Sequence, residues 1–244
     1  SIVGYGNVGS HLVEAFCKAG IQVTHVLVKD PTRYHSQAYT FTSDYAELPK
    51  NQLIIACVPD DSVADVINQI DKSCPLAYTS GSVNLSNFNL SENIGVFYPL
   101  QTFSKNVILD ISQIPFFIES NSVEFGKSLF DLASMLSSNV KYATSEERAK
   151  LHLAAVWVNN FTNHINYIAK EYLDSQKLDF EDLKPLLKET IRKIDANPPF
   201  DVQTGPARRG DLKTIEKHLA MLEERRKDIY HLLSESIQKT YSKK

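Results

Sequence analysis

The sequence predicts an α/β protein: a Rossmann-type, doubly wound parallel sheet followed by an all-α C-terminal domain. Three observations lead there. A glycine triplet with GxGxxG spacing, Gly4-Tyr5-Gly6-Asn7-Val8-Gly9, lies behind a short apolar run and ahead of an amphipathic segment. Strand-like and helix-like segments then alternate to about residue 144. From Ser145 onward only helical patterns remain.

Ile2-Val3 reads as the end of a first strand, and Asn7 to Lys18 as the helix after it. Only three residues precede Gly4, so the native chain is expected to begin a few residues earlier, and no targeting segment is read. A second strand, Gln22 to Val28, closes a βαβ unit. Gly4 allows the tight turn off the strand, Gly6 lets backbone approach a pyrophosphate, and Gly9 lets the helix pack close. The unpaired N–H groups opening that helix would hold the anion. Leu53 to Val58 is a continuous apolar run of buried-strand type, ended by Pro59, with Asp60 or Asp61 placed to cap a following helix. Leu76 to Thr79, Gly95 to Tyr98 and Pro115 to Glu119 repeat the strand pattern more weakly. Ser120 to Leu136 reads as a helix and Val140 to Tyr142 as a last short strand.

The expected division is a dinucleotide-binding domain over 1–144 and a helical substrate and dimerisation domain over 145–244. Ser145, Glu146 and Glu147 suit the start of a helix running to about Leu173, which would be about 43 Å long. Its middle, Leu151 to Ile168, is apolar on nearly all sides, which predicts burial in a bundle or at a dimer interface. Later breaks are expected at Pro185, Asn197-Pro198-Pro199 and Gly205-Pro206, with Lys243-Lys244 fraying at the end.

Bulk properties fit an enzyme-sized protein of 244 residues, 43% hydrophobic and 10% aromatic. The formal charge of −3 gives no general attraction to nucleic acid or an anionic membrane. No apolar run reaches the roughly 18 residues a membrane span needs. Cys17, Cys57 and Cys74 form no CxxC pair, which argues against a disulfide framework or a zinc site and for a cytoplasmic setting.

Chemistry-bearing residues fall in four places. At 100° per residue His152, Asn159, Asn163 and Asn166 lie within about 40° of one another on the long helix, with Asn160 at the stripe's edge. Polar groups on a buried helix need partners, and either a ligand or a neighbouring helix would serve. Gln203 to Asp211 places two glycines, a proline and the pair Arg208-Arg209 between helices. This segment could clamp an anion through Arg209, or serve as a turn in which Asp211 caps the next helix. Cofactor choice belongs to the end of strand two: Lys29 and Arg33 point to the 2′-phosphate of NADP, whereas Asp30 would suit the ribose of NAD. The loops Val58-Pro59-Asp60-Asp61, Thr79-Ser80-Gly81-Ser82 and Tyr98 to Ser104 follow strands and should border the cofactor crevice.

These motifs, above all TGPARRGD at 204–211 with the later His218, resemble a family classed as NADP-dependent oxidoreductases, in which a C-terminal domain of unknown function follows a Rossmann-like domain. The resemblance covers essentially the whole chain. The C-terminal half is similar to the helical domain of the 6-phosphogluconate dehydrogenase group, whose architecture pyrroline-5-carboxylate reductase and ketopantoate reductase also resemble. It singles out Gly4, Gly6, Gly9, Asp60, Ser80, Gly81, Pro99, His152, Asn160, Thr204, Gly205, Pro206, Arg209, Gly210, Asp211 and His218. Family members often carry His where this chain has Tyr78 and Tyr98, and His152 lies near the place of the acid/base Lys of 6-phosphogluconate dehydrogenase relatives.

The expectation is an NADPH-dependent reductase of a small carbonyl or imine compound carrying a carboxylate, working as a homodimer. The glycine turn with Tyr5, Asn7, Val8, Lys29, Val58, Pro59, Asp60 and Ser80 would hold NADP. His152, Asn160 and Ser80 would be catalytic, and Tyr98, Asn159, Thr204 and Arg209 would meet the substrate. A ketopantoate-reductase-like enzyme and a non-catalytic NADP(H)-binding module are the alternatives.

Overall fold

The computed structural model describes residues 1–88, 93–105, 107 and 109–242, which leaves the expected fraying of Lys243-Lys244 outside the described residues. The chain forms two compact units, Ser1–Asn160 and Phe161–Lys244.

The first unit is built on one eight-stranded sheet in the order β3-β2-β1-β4-β5-β6-β7-β8. The strands are β1 (Ile2–Val3), β2 (His25–Leu27), β3 (Thr40–Thr42), β4 (Ile54–Ala56), β5 (Leu76–Tyr78), β6 (Ile94–Pro99), β7 (Phe116–Ser120) and β8 (Val140–Tyr142). β1 to β6 are parallel, and Val3 stands between Leu27 of β2 and Ala56 of β4, where the strand order reverses. That reversal is where a doubly wound sheet opens a ligand crevice. The sheet is not parallel throughout: β7 runs antiparallel to β6, and β8 parallel to β7. The segment joining β6 to β7 contains only a 3-10 turn, Ile111–Gln113, among its described residues, so no crossover helix carries the chain back for parallel pairing. β3 went unread in the sequence because Thr40-Phe41-Thr42 is too short for alternation to show.

The strands read as unbroken apolar runs because both faces are covered. Helices α1 (Asn7–Lys18) and α3 (Val123–Ser134) pack Leu12, Phe16 and Leu129 with Ile2, Ile55 and Phe97 on one face. Helix α2 (Val63–Gln69) packs Val63 and Val66 with Val3, Ile54 and Tyr78 on the other. Neighbours in a strand thus enter opposite cores, as the two-residue period requires.

Helix α4 (Ser145–Ala155) begins where expected, with a capping box in which the Thr144 hydroxyl accepts from the Glu147 N–H. The helical spine is not uniform: a π segment, Val156–Phe161, separates α4 from α5 (Thr162–Ser175). The units divide at 160/161 rather than at 144, since α4 belongs with the sheet through the buried Arg148 and through Leu151, which packs on the second core. Nor is the spine's middle buried in the chain. Trp157, Val158, Phe161 and Ile165 remain 62, 76, 46 and 40% exposed.

The second unit contains α5, α6 (Lys184–Ala196), α7 (Pro199–Val202), α8 (Pro206–Arg209), α9 (Leu212–Ala220) and α10 (Glu224–Tyr241). Pro185 lies in the first turn of α6 instead of breaking a helix, a position where its missing N–H has no intrahelical partner to lose. An Arg226–Glu171 ion pair at 3.0 Å joins α10 to α5, and Tyr241 stacks on Phe200 with ring centres 4.6 Å apart. Among the described residues, no helix is long and apolar enough to cross a membrane.

Candidate active site

The three glycines behind β1 meet three different demands. Gly4 has φ +94, and a Cβ there would lie 2.4 Å from the carbonyl oxygen of Cys57 on β4's outgoing chain. A Cβ on Gly9 would lie 2.0 Å from the oxygen of Gly4, so only glycine lets α1 start this close to the strand. At Gly6 a Cβ would meet nothing within 4 Å. Among the described residues that side is open to 4 Å, although the turn is tightly packed on both flanks. α1 has no side-chain cap, and its first helical bond runs from Ser10 N to Gly6 O at 3.0 Å. The amides of Asn7, Val8 and Gly9 are therefore those the helix itself leaves unpaired. Tyr5 directs its side chain into the protein: its ring meets Tyr34 and Phe41 edge-on, and its hydroxyl lies 3.2 Å from that of Tyr39. Burial pushes the Tyr5 phenol well above its usual range, so it stays protonated at neutral pH. The Lys105 ammonium stands 5.8 and 5.7 Å from the ring centres of Tyr5 and Tyr34.

At the end of β2, Lys29 is exposed beyond Val28. Asp30 is occupied by its own turn, accepting from Thr32 N at 3.2 Å, Thr32 Oγ1 at 2.5 Å and Arg33 Nε at 2.8 Å. The Thr32 hydroxyl bond is the main reason its carboxyl is held below the usual range. Of the charged residues weighed for cofactor choice, Asp30 and Arg33 thus satisfy each other, and Lys29 extends alone.

The next two loops are tied together. Val58 closes on Gly4, with its Cγ1 3.1 Å from where a Gly4 Cβ would stand. Beyond Pro59, Asp60 opens a 3-10 turn, Asp60–Ser62, and neither it nor Asp61 caps α2; instead Asp60 accepts a hydrogen bond from the Ser82 hydroxyl. Ser80 is 5% exposed, and its Oγ accepts from Ser82 N at 3.2 Å and Val83 N at 3.0 Å. Through these two bonds the Ser80 hydroxyl shapes the turn after β5.

The Tyr98 hydroxyl, on β6, lies 3.0 Å from Nδ1 of His152 on α4. Gly81 makes the pairing possible, since a Cβ there would stand 2.7 Å from Tyr98 Cζ and 2.8 Å from His152 Nδ1. Burial pushes the Tyr98 phenol up to about 12, partly offset by the nearby Arg148 charge, so it stays protonated at neutral pH. Both residues line a cleft of about 500 Å³ whose other walls include Leu100, Leu151, Val156, Asn159 and Asn160. His152 is therefore no sealed core histidine.

The polar stripe is altered in two ways. Asn159, Asn160 and Asn163 are exposed, so their amides face no buried-polar penalty. The π segment also carries more residues per turn, so the 100° phase that aligned Asn163 and Asn166 with His152 does not continue through it. Asn166 bonds to Thr162 O at 2.9 Å within its own helix.

In the second unit, Gly205 and Gly210, with φ +104 and +69, bracket the one-turn α8 within the segment read as an ordered loop. Thr204 and Arg209 are exposed, Arg208 lies 4.2 Å from the centre of the Tyr241 ring, and Asp211 caps α9 through Thr214 N at 3.1 Å. The capping alternative for Asp211 is thus realised. His218 Nδ1 lies 2.6 Å from the Tyr230 hydroxyl.

Sequence reading missed Arg148, which within SEERAKLH looks like an ordinary solvated helix charge. It is 1% exposed and bonds to Glu119 of β7. The available signal was Glu119 itself, a carboxylate ending the apolar run Phe116-Phe117-Ile118.

Residues 114–237 match the family described as a domain of unknown function, DUF2520. No curated protein matches the chain. A crystal structure of a candidate NADP oxidoreductase from Bacteroides fragilis is 36% identical with a TM-score of 0.89, over 98% of this chain and 96% of that one. A protein from Thermotoga maritima is 20% identical with a TM-score of 0.76, over 99% and 97%. An imine reductase from Myxococcus stipitatus in complex with NADP+ is 13% identical with a TM-score of 0.69, over 98% and 92%, a likeness of fold. In this chain a Rossmann-type unit precedes a helical one, and the chain belongs to the DUF2520 family.

Proposed function

We propose that the protein is an NADPH-dependent reductase of a small carbonyl or imine compound. The observation that carries the reading is the Tyr98–His152 hydrogen bond of 3.0 Å on the wall of a cleft, in the same unit as a glycine turn shaped for a dinucleotide. The 36% identical relative with an NADP oxidoreductase description supports the cofactor, as does the exposed Lys29 with Asp30 withdrawn into its own turn. The amides of Asn7, Val8 and Gly9 would hold the pyrophosphate. Lys29 would meet the 2′-phosphate, with Lys105 adding a second positive charge near Tyr5. NADPH, when bound, supplies the hydride.

The chain's own part is proton delivery. With Nδ1 of neutral His152 as the acceptor, the protonated Tyr98 phenol would donate to it and Nε2 would carry the ring proton. In the imidazolium form, which takes its extra proton from solvent, Nδ1–H donates back to the Tyr98 oxygen and Nε2–H is given to the nascent alkoxide or amine; the Nδ1–H imidazole left behind returns to the Nε2–H form by exchange with solvent. Asn160, on the same cleft, would orient the substrate, with Asn159 beside it. The described cleft walls contain no Lys or Arg, so the expectation that the substrate carries a carboxylate rests on Arg209 and Thr204 alone. The exposed apolar residues of the spine support a homodimer. Three free cysteines accord with a reducing, cytoplasmic setting.

The test is a panel of α-keto acids, ketones and cyclic imines followed by loss of NADPH absorbance, run on the wild type and on His152→Asn. On the substrate that turns over, the variant is expected to lose about a hundredfold in turnover with NADPH affinity unchanged. A panel silent throughout, with NADPH still bound, would favour the binding module.

A further inference from the structure

Arg148 is among the largest fully buried side chains of the protein and stands one helical turn before His152 on α4. Its whole fork is used. Nε donates to Ser80 O at 3.2 Å, one terminal nitrogen donates to the Glu119 carboxylate, and the other donates to Val83 O and, at 3.4 Å, to Ser145 Oγ. Glu119 is completed by Ser145, which donates from its N–H at 2.9 Å and from its hydroxyl. The two carbonyls belong to the turn that presents Gly81, against which Tyr98 and His152 meet without room for a methyl group. Arg148 thus joins β7, the turn after β5 and α4 at one point.

A buried ion pair is a poor way to gain stability, because desolvation offsets its attraction and apolar packing would serve as well. What it adds here is direction: a planar guanidinium fixes two carbonyls and a carboxylate at once, which a lysine's point charge cannot do. We propose that Arg148 is a positioning residue, which with Glu119 clamps the turn after β5 to α4 and so sets the Tyr98–His152 hydrogen bond. The proposal rests on reading that pair as the proton-delivery group, but its geometry can be read without turnover.

The experiment labels histidine with 15N and follows the two ring nitrogens of His152 by long-range 1H–15N correlation, with His152→Asn assigning the signals. The variants are Arg148→Lys and the double variant Arg148→Met with Glu119→Gln, which leaves no lone buried charge. Neutral His152 is expected as a single Nε2–H tautomer in the wild type. In both variants it becomes a tautomer mixture, with circular dichroism and NADPH affinity preserved and kcat reduced about tenfold to a hundredfold, the scale of a small misplacement. Folded variants that keep the wild-type tautomer overturn the proposal. So does a double variant that cannot fold, which would make the pair a requirement of folding. A tautomer change in a protein whose wild type neither binds NADPH nor turns over any substrate would uphold the positioning role while refuting the reductase.

Discussion

Gly6→Ala separates the cofactor role of the glycine turn from its role in folding. The backbone at Gly6, φ −79 and ψ −156, suits any L residue, and the added methyl meets no protein atom within 4 Å. Alanine is a poorer N-cap than glycine but loses less chain entropy on folding, and each effect is about 0.5–1 kcal/mol, so the ligand-free protein should melt within a few degrees of wild type. The methyl would instead occupy the side from which a pyrophosphate approaches the amides of α1. Losing one charge-assisted hydrogen bond costs about 1.5–3 kcal/mol, or up to about a hundredfold in Kd. At a concentration of NADPH equal to 100 Kd, wild type gains about 2.7 kcal/mol, a rise of about 5–10 °C in Tm for a chain of this size. At that same concentration a variant a hundredfold weaker gains only about 0.4 kcal/mol, or about 1 °C. Differential scanning fluorimetry with and without NADPH reads both quantities. A variant that keeps the full ligand-induced rise would refute the placing of the phosphates at this turn. Gly9→Ala is the contrast: its methyl would stand 2.0 Å from Gly4 O and should lower Tm without any ligand.

Three further outcomes are expected. Lys29→Glu should abolish or invert a preference for NADPH over NADH in the same melting assay; equal shifts for both cofactors in the wild type would rule out Lys29 as the selector. Tyr98 titrates in the fold near 12, against an ordinary 10.0, so the stability it contributes is complete below pH 10 and is lost as pH rises toward 12. Urea midpoints across that window should fall less steeply for Tyr98→Phe than for wild type, and parallel curves would contradict the shift. Sedimentation should give a homodimer, weakened by Trp157→Glu with Val158→Glu on the exposed spine, and a monomer at every concentration would dismiss it.

Legibility in the sequence followed the range of the interactions. The glycine turn was fully readable, because a positive φ at Gly4 and the close approach at Gly9 are demands that neighbouring residues make and only glycine meets. The bounds of α1 and the start of α4 at Ser145 were readable for the same reason, since caps and helical periodicity lie within a few residues. His152 was singled out by its helix position and its family resemblance, and it lies on the wall of a cleft.

What only the tertiary structure decided lies between distant residues. Tyr98 and His152, 54 positions apart, share a hydrogen bond because β6 and α4 meet across Gly81. Arg148 and Glu119, 29 positions apart, are buried as a pair that neither local sequence displays. Ser80 has its hydroxyl drawn into its turn, Asp60 bonds to Ser82 where a helix cap was expected, and β7 reverses because no helix carries the chain across. The apolar spine, read as buried, is exposed in the single chain: periodicity tells how much surface a helix seeks to cover, and tertiary structure alone tells whether the same chain covers it.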